Sequence, residues 1–383
     1  MAVVSFLAAR AAPTGGFWVA LAGGVAVARV AERRGARLGF GASIAAMLET
    51  VAIIGPARFG VPLTQAATAP IIGRLHARRS PLALQLLVVA ALRLLHNTAT
   101  TAFFIWVIAG GLDAYAGTYD AIGRRLGLDV GTADALALTA AGLVAWCAFA
   151  TVVQVLVYRR GLHGWDGLAA DDVLPHDLPG EGDAPPHRGR FDPRLVSLAA
   201  AMAFGVLLAS TAWPVLLGVA LFLAIAWPLS RPDSSVLPTG LAFCAALGGG
   251  ALLFGLGGGI GLDEALRRAA RAALLVLVAT WMRAAAGAEG LRDVGRRILV
   301  KLRRVPSMPE AAEVLDSLGS ERRLVAGARA LAGSLRDVPY RPLPFLDAVL
   351  AWVVAESERP EGTPPARDRN KGPHGPPISI SPR

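Results

Sequence analysis

The fold is indicated most clearly by residues 82–108, which read LALQLLVVAALRLLHNTATTAFFIWVI. As a helix rising about 1.5 Å per residue, this stretch is long enough to cross a hydrocarbon core about 30 Å thick. A water-soluble chain would instead place its apolar residues at half-buried spacings. Similar apolar runs lie at 17–30, 39–54, 59–72, 133–157, 195–210, 215–229, 238–254 and 263–285. The sequence therefore predicts an all-α, polytopic membrane helical bundle of about eight or nine segments.

The composition supports this prediction. Hydrophobic residues make up 54% of the 383 residues and charged residues 17%. Soluble domains carry more charge, about 25% of their residues. A chain with so few charges and such long apolar runs is suited to burying much of its surface in lipid.

The positive charge has a topological meaning. The net charge is +10, and almost all of it is arginine, because Lys301 and Lys371 are the only lysines. The arginines lie at the ends of apolar runs, which the positive-inside rule explains better than nucleic-acid binding does. The rule places 111–131 and 255–263 outside, and it places these segments in the cytoplasm: 32–38, 74–79, 159–194, 231–235 and 283–336. The arginine, alanine and glycine bias indicates a bacterial chain, so we expect a multi-pass protein of the inner (plasma) membrane.

A change of composition at 159–194 divides the chain. This segment is rich in Gly, Pro, Asp and His, and it is predicted to be a cytoplasmic linker. It separates an N-terminal membrane domain, 1–158, which resembles no named family, from a second membrane domain, 195–358. The Pro-, Gly- and Arg-rich end, 359–383, is predicted to be a disordered tail.

Ionisable residues inside the apolar runs form the first candidate site. Arg93, His96 and Asn97 share one helical face by their spacing, and Glu49 and Arg58 lie in or next to earlier runs. Ionisable groups within a bilayer cost several kcal/mol unless they are paired or hydrated. We therefore expect Glu49 to contact Arg58, Arg93 or His96. Such a cluster would be a binding pocket or proton relay, or a structural pair that fixes helix packing.

Sequence motifs for catalysis, metals and nucleotides are absent. The His and Asp residues of 159–194 match no defined metal site, and Cys147 and Cys244 have no ligand partner nearby. The chain contains no Walker motif, and glycines 255–261 do not fit the dinucleotide-binding pattern. We expect no cofactor, no metal and no catalytic site, so any ATP-driven work would come from a partner chain.

Residues 191–336 carry a family resemblance, which begins at the sequence FDPR of 191–194. Two closely spaced apolar helices and a third follow, and then GLDEALRR at 261–268 leads into a long helix through 274–280. Further matches are EGLRDVGRR at 289–297, KLRRVP at 301–306 and the triplet Ala328, Arg329 and Ala330. This part of the chain resembles the transmembrane (T) component of energy-coupling factor transporters, including the cobalt and nickel permease type.

The resemblance implies partners and a mechanism. It implies cytoplasmic coupling helices at 287–336, ATPase subunits docked on them, and a separate membrane subunit that binds the substrate. The arginines assigned to partner binding are Arg296, Arg297, Arg322 and Arg329. Proline disrupts a helix interior by about 3 kcal/mol, so we expect at least two amphipathic helices, broken near Pro306 and Pro309. The implied function is that of a membrane subunit of an ATP-driven uptake transporter.

Two other functions stay open at this point. The first is a proton-coupled secondary transporter that uses Glu49 and His96, with the proline-broken run 59–72 beside the site. The second is a membrane enzyme or scaffold for lipid or envelope processes, with the face of Arg93 and Asn97 near lipid headgroups. A neighbouring ATPase gene would favour the ATP-driven uptake transporter over both of these functions.

Overall fold

The computed structural model describes residues 1–11, 16–56, 62–128, 131–168, 191–230, 236–336, 338 and 341–357. Within these ranges the regular structure is helical and contains no strand, which confirms the predicted all-α class. The helices are α1 (Ala2–Ala11), α2 (Gly16–Arg34), α3 (Ala36–Ile54), α4 (Pro62–Ala77), α5 (Leu82–Phe103), α6 (Leu112–Arg125), α7 (Thr132–Leu168), α8 (Pro193–Ala209), α9 (Trp213–Ser230), α10 (Leu237–Gly257), α11 (Leu262–Lys301), α12 (Met308–Ser317), α13 (Glu321–Ser334) and α14 (Pro342–Ser357). A π-helical segment, Phe104–Ala109, continues α5.

Six helices in the described part of the chain are long and apolar enough to cross a membrane: Ala36–Ile54, Leu82–Val107, Thr132–Gly167, Trp213–Ser230, Leu237–Gly257 and Leu262–Lys301. The chain is accordingly a multi-pass membrane protein. The number is below the eight or nine segments expected from the apolar runs. Three runs account for the difference from nine: the run 17–30 in α2 is not among the six, the run 59–72 contributes to α4, which has only 16 residues, and the run 195–210 forms α8 with 17.

Two helices are longer than a bilayer requires. α7 has 37 residues and is more than about 50 Å long, and α11 spans 40 residues with a kink at Gly287, against a hydrocarbon core of about 30 Å. α7 continues ten residues into the segment that was predicted to be linker. It does so because Tyr158, Leu162 and Trp165 extend its apolar stripe and are buried. The rest of the predicted linker, 169–190, and the predicted tail lie outside the described residues.

The exposed large apolar side chains divide the bundle into two parts. They are concentrated on α5 to α10 and at the start of α11, with Leu217 and Leu221 each 62% exposed. We call α5 to α10 together with residues 262–286 the lipid-facing unit. On α1 to α4, α12 and α13, no described large apolar residue is exposed. These helices bury their apolar residues together with α14 and the end of α7, and we call α1 to α4 with α12 to α14 the compact unit.

This packing differs from the predicted domain division. α8, α9 and α10 pack against α11, as expected for one domain. However, α12 packs against α3, α13 against α1, and α14 against α2. The last three helices of the predicted second domain therefore complete the core of the N-terminal helices. Their apolar residues, such as Leu315, Leu331 and Val349, are buried there rather than against α8 to α10.

Ion pairs join Arg29 to Asp166 and Arg37 to Glu310. Elsewhere in the bundle, the rings of Tyr115 on α6 and Phe254 on α10 are in contact, with centroids 6.2 Å apart. The predicted sidedness of these segments stays a prediction.

Candidate functional site, a buried polar junction on α11

The candidate site surrounds a kink in α11. Gly287 has φ 72° and ψ 165°, a conformation that interrupts the helix and that glycine adopts far more readily than other residues. The kink separates residues 262–286, in the lipid-facing unit, from residues 288–301, which run beside α3 and α12. One arginine lies on each side of the kink, Arg283 before it and Arg292 after it, and both contact the compact unit.

Arg283 connects α3 to α13. Its side chain is 5% exposed, its Nε donates to the carbonyl of Ile53 at 2.7 Å, and its Nη2 donates to Glu321 Oε1 at 2.5 Å. Ile53 is in the last turn of α3, where carbonyls lack helical partners and favour a cation. Glu321 is in the first turn of α13, where a carboxylate is favoured. The buried guanidinium of Arg283 therefore binds both the C-terminal end of α3 and the N-terminal end of α13.

Arg292 connects α3 to α12. Its Nη2 donates to the carbonyls of Leu315 and Leu318, the latter at 2.8 Å, and its Nη1 donates to the carbonyl of Gly319 at 3.2 Å. These carbonyls end α12 and form the turn that follows. The Nε of Arg292 lies 3.4 Å from Oε2 of Glu49, whose side chain is 2% exposed. Arg292 thus caps α12 and neutralises a buried carboxylate of α3.

The four charged side chains Glu49, Arg283, Arg292 and Glu321 form what we call the polar junction. Their formal charges cancel, which is the condition for keeping such groups away from water. Glu49 and Arg283 are the most deeply buried members, at 2% and 5% exposure, and leaving such a buried charge without its partner typically costs about 3–5 kcal/mol. The junction therefore connects α3 and the facing ends of α12 and α13 to α11.

A small pocket adjoins the junction where the two units meet. It has an empty volume of about 260 Å³ that includes open space at its mouth. Its lining comes from the end of α3, from α10 and its approach, and from α11: Ile54, Gly55, Val236, Gly240, Phe243, Ala279, Thr280 and Arg283. The pocket leaves space beside α11 next to the segment that kinks.

The expected cluster of Glu49 with Arg93 or His96 is corrected by the structure. Glu49 pairs with Arg292, on a helix far along the chain, and it has no ion pair with Arg93 or His96 among the described residues. Arg58 lies outside the described residues. Sequence reasoning placed Glu49 beside its chain neighbours, whereas the packing of α3 against α11 brings a different arginine to it.

Arg93 belongs to a second buried network on α4, α5 and α7. Its Nη2 donates to Gln154 Oε1 at 2.5 Å, and Gln154 Nε2 donates to Thr68 Oγ1 at 2.6 Å. Asn97 Nδ2 donates to the sulfur of Cys147 at 3.3 Å. His96 is half-buried and its carbonyl accepts from Thr100. This network contains a buried guanidinium whose hydrogen-bond partner is an amide.

The four arginines expected to bind a partner are all exposed. Arg296 pairs with Asp316 and Arg297 with Asp293, each at 2.7 Å. Arg329 makes no hydrogen bond or ion pair within the described part of the chain and is exposed on α13, opposite the buried face of Leu324, Ala328 and Leu331. Arg322 lies on the same helix. The predicted apolar face of α13 is therefore present, and it is occupied by α1.

Sequence reasoning missed Arg283, Arg292 and Glu321. Little in the sequence indicates their role, because each lies in or next to a segment with many charged residues, and such residues are usually exposed to water. Among the described residues, no group of three or more His, Cys, Asp or Glu residues is arranged to hold a metal ion. Comparison of the chain with family models, with curated proteins and with solved structures gives no match.

Proposed function

We propose that this protein is the membrane subunit of an ATP-driven uptake transporter of the bacterial inner membrane. It would couple a separate ATPase to a membrane part that binds the substrate. The observation that carries the proposal is α11, whose two helical parts, 262–286 in the lipid-facing unit and 288–301 beside the compact unit, are continuous through a glycine kink at the polar junction. The resemblance of residues 191–336 to the T component of energy-coupling factor transporters supplies the functional class.

The proposed coupling path has three steps. An ATPase binds exposed arginines near α12 and α13, and its motion displaces these helices. Arg283 and Arg292 transmit the displacement to α11 and, through Ile53 and Glu49, to α3. The lipid-facing unit then responds at the kink of Gly287. Rigid elements moving about a few hinge residues are a common form of such transitions.

Binding of an ATPase is tested at Arg329. A pull-down from native membranes should recover an ATPase chain with wild-type protein and lose it with Arg329→Glu, because the reversal places a like charge against an acidic partner surface. Arg336→Glu, a matched reversal of an exposed arginine after α13, should retain it. Equal recovery with wild type and Arg329→Glu would count against this docking face, and recovery of no ATPase at all would count against the function.

A proton-coupled secondary transporter is the second candidate. The observation that favours it is the buried network of Arg93, Gln154 and Thr68, which crosses three helices of the bundle. Reconstituted into liposomes, such a transporter would take up its substrate on a pH gradient with no ATPase present. Uptake that requires an added ATPase and ATP would exclude it.

A further inference from the structure

The end of α11 and the turn after it form an unusual surface. Residues 296–305 read RRILVKLRRV, five cations in ten residues, and no acidic residue occurs from 294 to 309. We call residues 296–305 the basic tip. It follows the polar junction along α11, and its cations Lys301, Arg303 and Arg304 are not among the arginines assigned to partner binding.

The cations of the basic tip are only partly neutralised. Arg296 and Arg297 have partners in Asp316 and Asp293. Lys301, Arg303 and Arg304 are exposed and make no ion pair within the described residues. Three positive charges at and just beyond the end of α11 therefore have no anionic partner among the described residues.

The same ten residues expose apolar side chains. Ile298 is 52% exposed, Val300 48%, and Leu302 and Val305 each 43%. These side chains are exposed although the turn that carries them is formed. The amide of Val305 donates to the carbonyl of Leu302, and the amide of Met308 donates to the carbonyl of Val305. Leu299, on the opposite side of α11, is buried against α3 and α12. Water is thus not the medium expected for this face.

The basic tip begins close to the membrane part of the bundle. Gly290 lies against Pro193, the first residue of α8. α8 exposes large apolar side chains from its first turns, at Leu195 and Leu198, so it enters lipid near this level. Arg296 is six residues beyond Gly290, about 9 Å of helix. Lys301, the last residue of α11, is eleven residues beyond Gly290, so a tip that runs along the membrane surface would place its long side chains in the headgroup layer, which extends several Å beyond the hydrocarbon core.

We propose that the basic tip binds the anionic headgroup surface of the chain's own membrane. Lys301, Arg303 and Arg304 pair with lipid phosphates, and the exposed apolar side chains enter the boundary between headgroups and acyl chains. Unbalanced cations combined with exposed aliphatic residues are the composition of interfacial helices that bind acidic lipid. The contact fixes the far end of α11 at the membrane surface, so that the kink at Gly287 lies between two anchored segments.

The experiment places an environment-sensitive fluorophore at Leu302→Cys, in a full-length Cys147→Ala, Cys244→Ala background. The protein is reconstituted into nanodiscs of phosphatidylcholine alone or with phosphatidylglycerol. We expect blue-shifted emission, and quenching by spin-labelled lipid, only where phosphatidylglycerol is present. A fluorophore at Ser317→Cys, exposed at the end of α12, should report water in both nanodiscs.

Charge dependence provides the matched control. Arg303→Gln with Arg304→Gln should abolish the phosphatidylglycerol-dependent shift at residue 302, whereas Arg323→Gln with Arg336→Gln, the same charge change on and after α13, should leave it. Water-like emission at residue 302 in both nanodiscs would overturn the proposal. Emission that shifts only when a protein partner is added would assign the basic tip to that protein, and would also overturn it.

Discussion

The helices α9 and α13 each carry a stripe of apolar residues, but α9 exposes this stripe and α13 buries it. On α9, Leu217, Leu221 and Ile225 recur every four residues and are more than half exposed. On α13, Leu324, Ala328 and Leu331 recur at four and three residues and are buried, while its arginines are exposed. The difference separates the two units by what their apolar residues contact. The lipid-facing unit presents large apolar residues outward, and the compact unit, which includes the candidate membrane span α3, encloses most of its own.

The largest loss of stability is expected at the polar junction, which connects the two units. Arg292→Met should destabilise the protein by about 3–5 kcal/mol, because the buried carboxylate of Glu49 then loses its cation and the carbonyls that end α12 lose their donor. Thermal unfolding in detergent would measure the effect. Arg297→Met, at an exposed pair with Asp293, should cost about 0.5 kcal/mol or less. Similar losses for both variants would show that the junction is not a special contact.

The lipid-facing unit is tested by placing a charge on its surface. Leu221→Arg puts a guanidinium on a face that we assign to lipid, with an insertion cost of about 2.5–3.5 kcal/mol. We expect a large loss of membrane-inserted protein, measured as the fraction resistant to carbonate extraction. Ser317→Arg, exposed on the compact unit, should insert normally. If Leu221→Arg inserts as well as wild type, α9 does not face the hydrocarbon core.

The kink tests the connection between the two units. Gly287→Ala should cost about 1–3 kcal/mol, because its φ of 72° and ψ of 165° are strained for a residue with a Cβ. Gly333→Ala, within α13 and with open space around it, should be neutral or slightly stabilising. Midpoints of thermal unfolding would compare the two. A stabilised Gly287→Ala variant would mean that α11 is straight under working conditions.

The smallest effect is expected at the end of α4. Burial lowers the pKa of His76 from its ordinary 6.5, opposed by Glu32 and reinforced by His163, Arg159 and Arg29. The unfolded chain therefore binds the proton more readily, so stability should be highest above about pH 6.5 and decrease as pH falls below it. Thermal unfolding at about pH 7 and about pH 5 should show less acid sensitivity in His76→Gln than in wild type. An unchanged difference would exclude His76 as its source.

The sequence was sufficient for the helical class because long apolar runs have few other structures available to them. It also predicted the break before α12, since Pro306 and Pro309 lie where α11 ends at Lys301 and α12 begins at Met308. The buried face of α13 followed from the spacing of its apolar residues. These features depend on local rules of helix periodicity and proline geometry.

The polar junction could not be predicted in the same way. Glu49 and Arg292 are more than 240 positions apart, and their pairing depends on α12 to α14 returning to the N-terminal helices. An ionisable residue in an apolar run predicts that a partner exists, but not which one. Cations in or next to the N-terminal apolar runs, Arg58 and Arg93, were therefore chosen, and Arg93 in fact contacts Gln154.

The central claim is that this membrane chain works with a separate ATPase. Affinity purification from native membranes in mild detergent, followed by identification of the retained chains and an ATP hydrolysis assay, tests it most directly. We predict that an ATPase chain is retained, and that hydrolysis is lost when Arg329→Glu replaces the wild-type protein. A chain that purifies alone, and that transports its substrate in liposomes on a pH gradient without ATP, would contradict the claim.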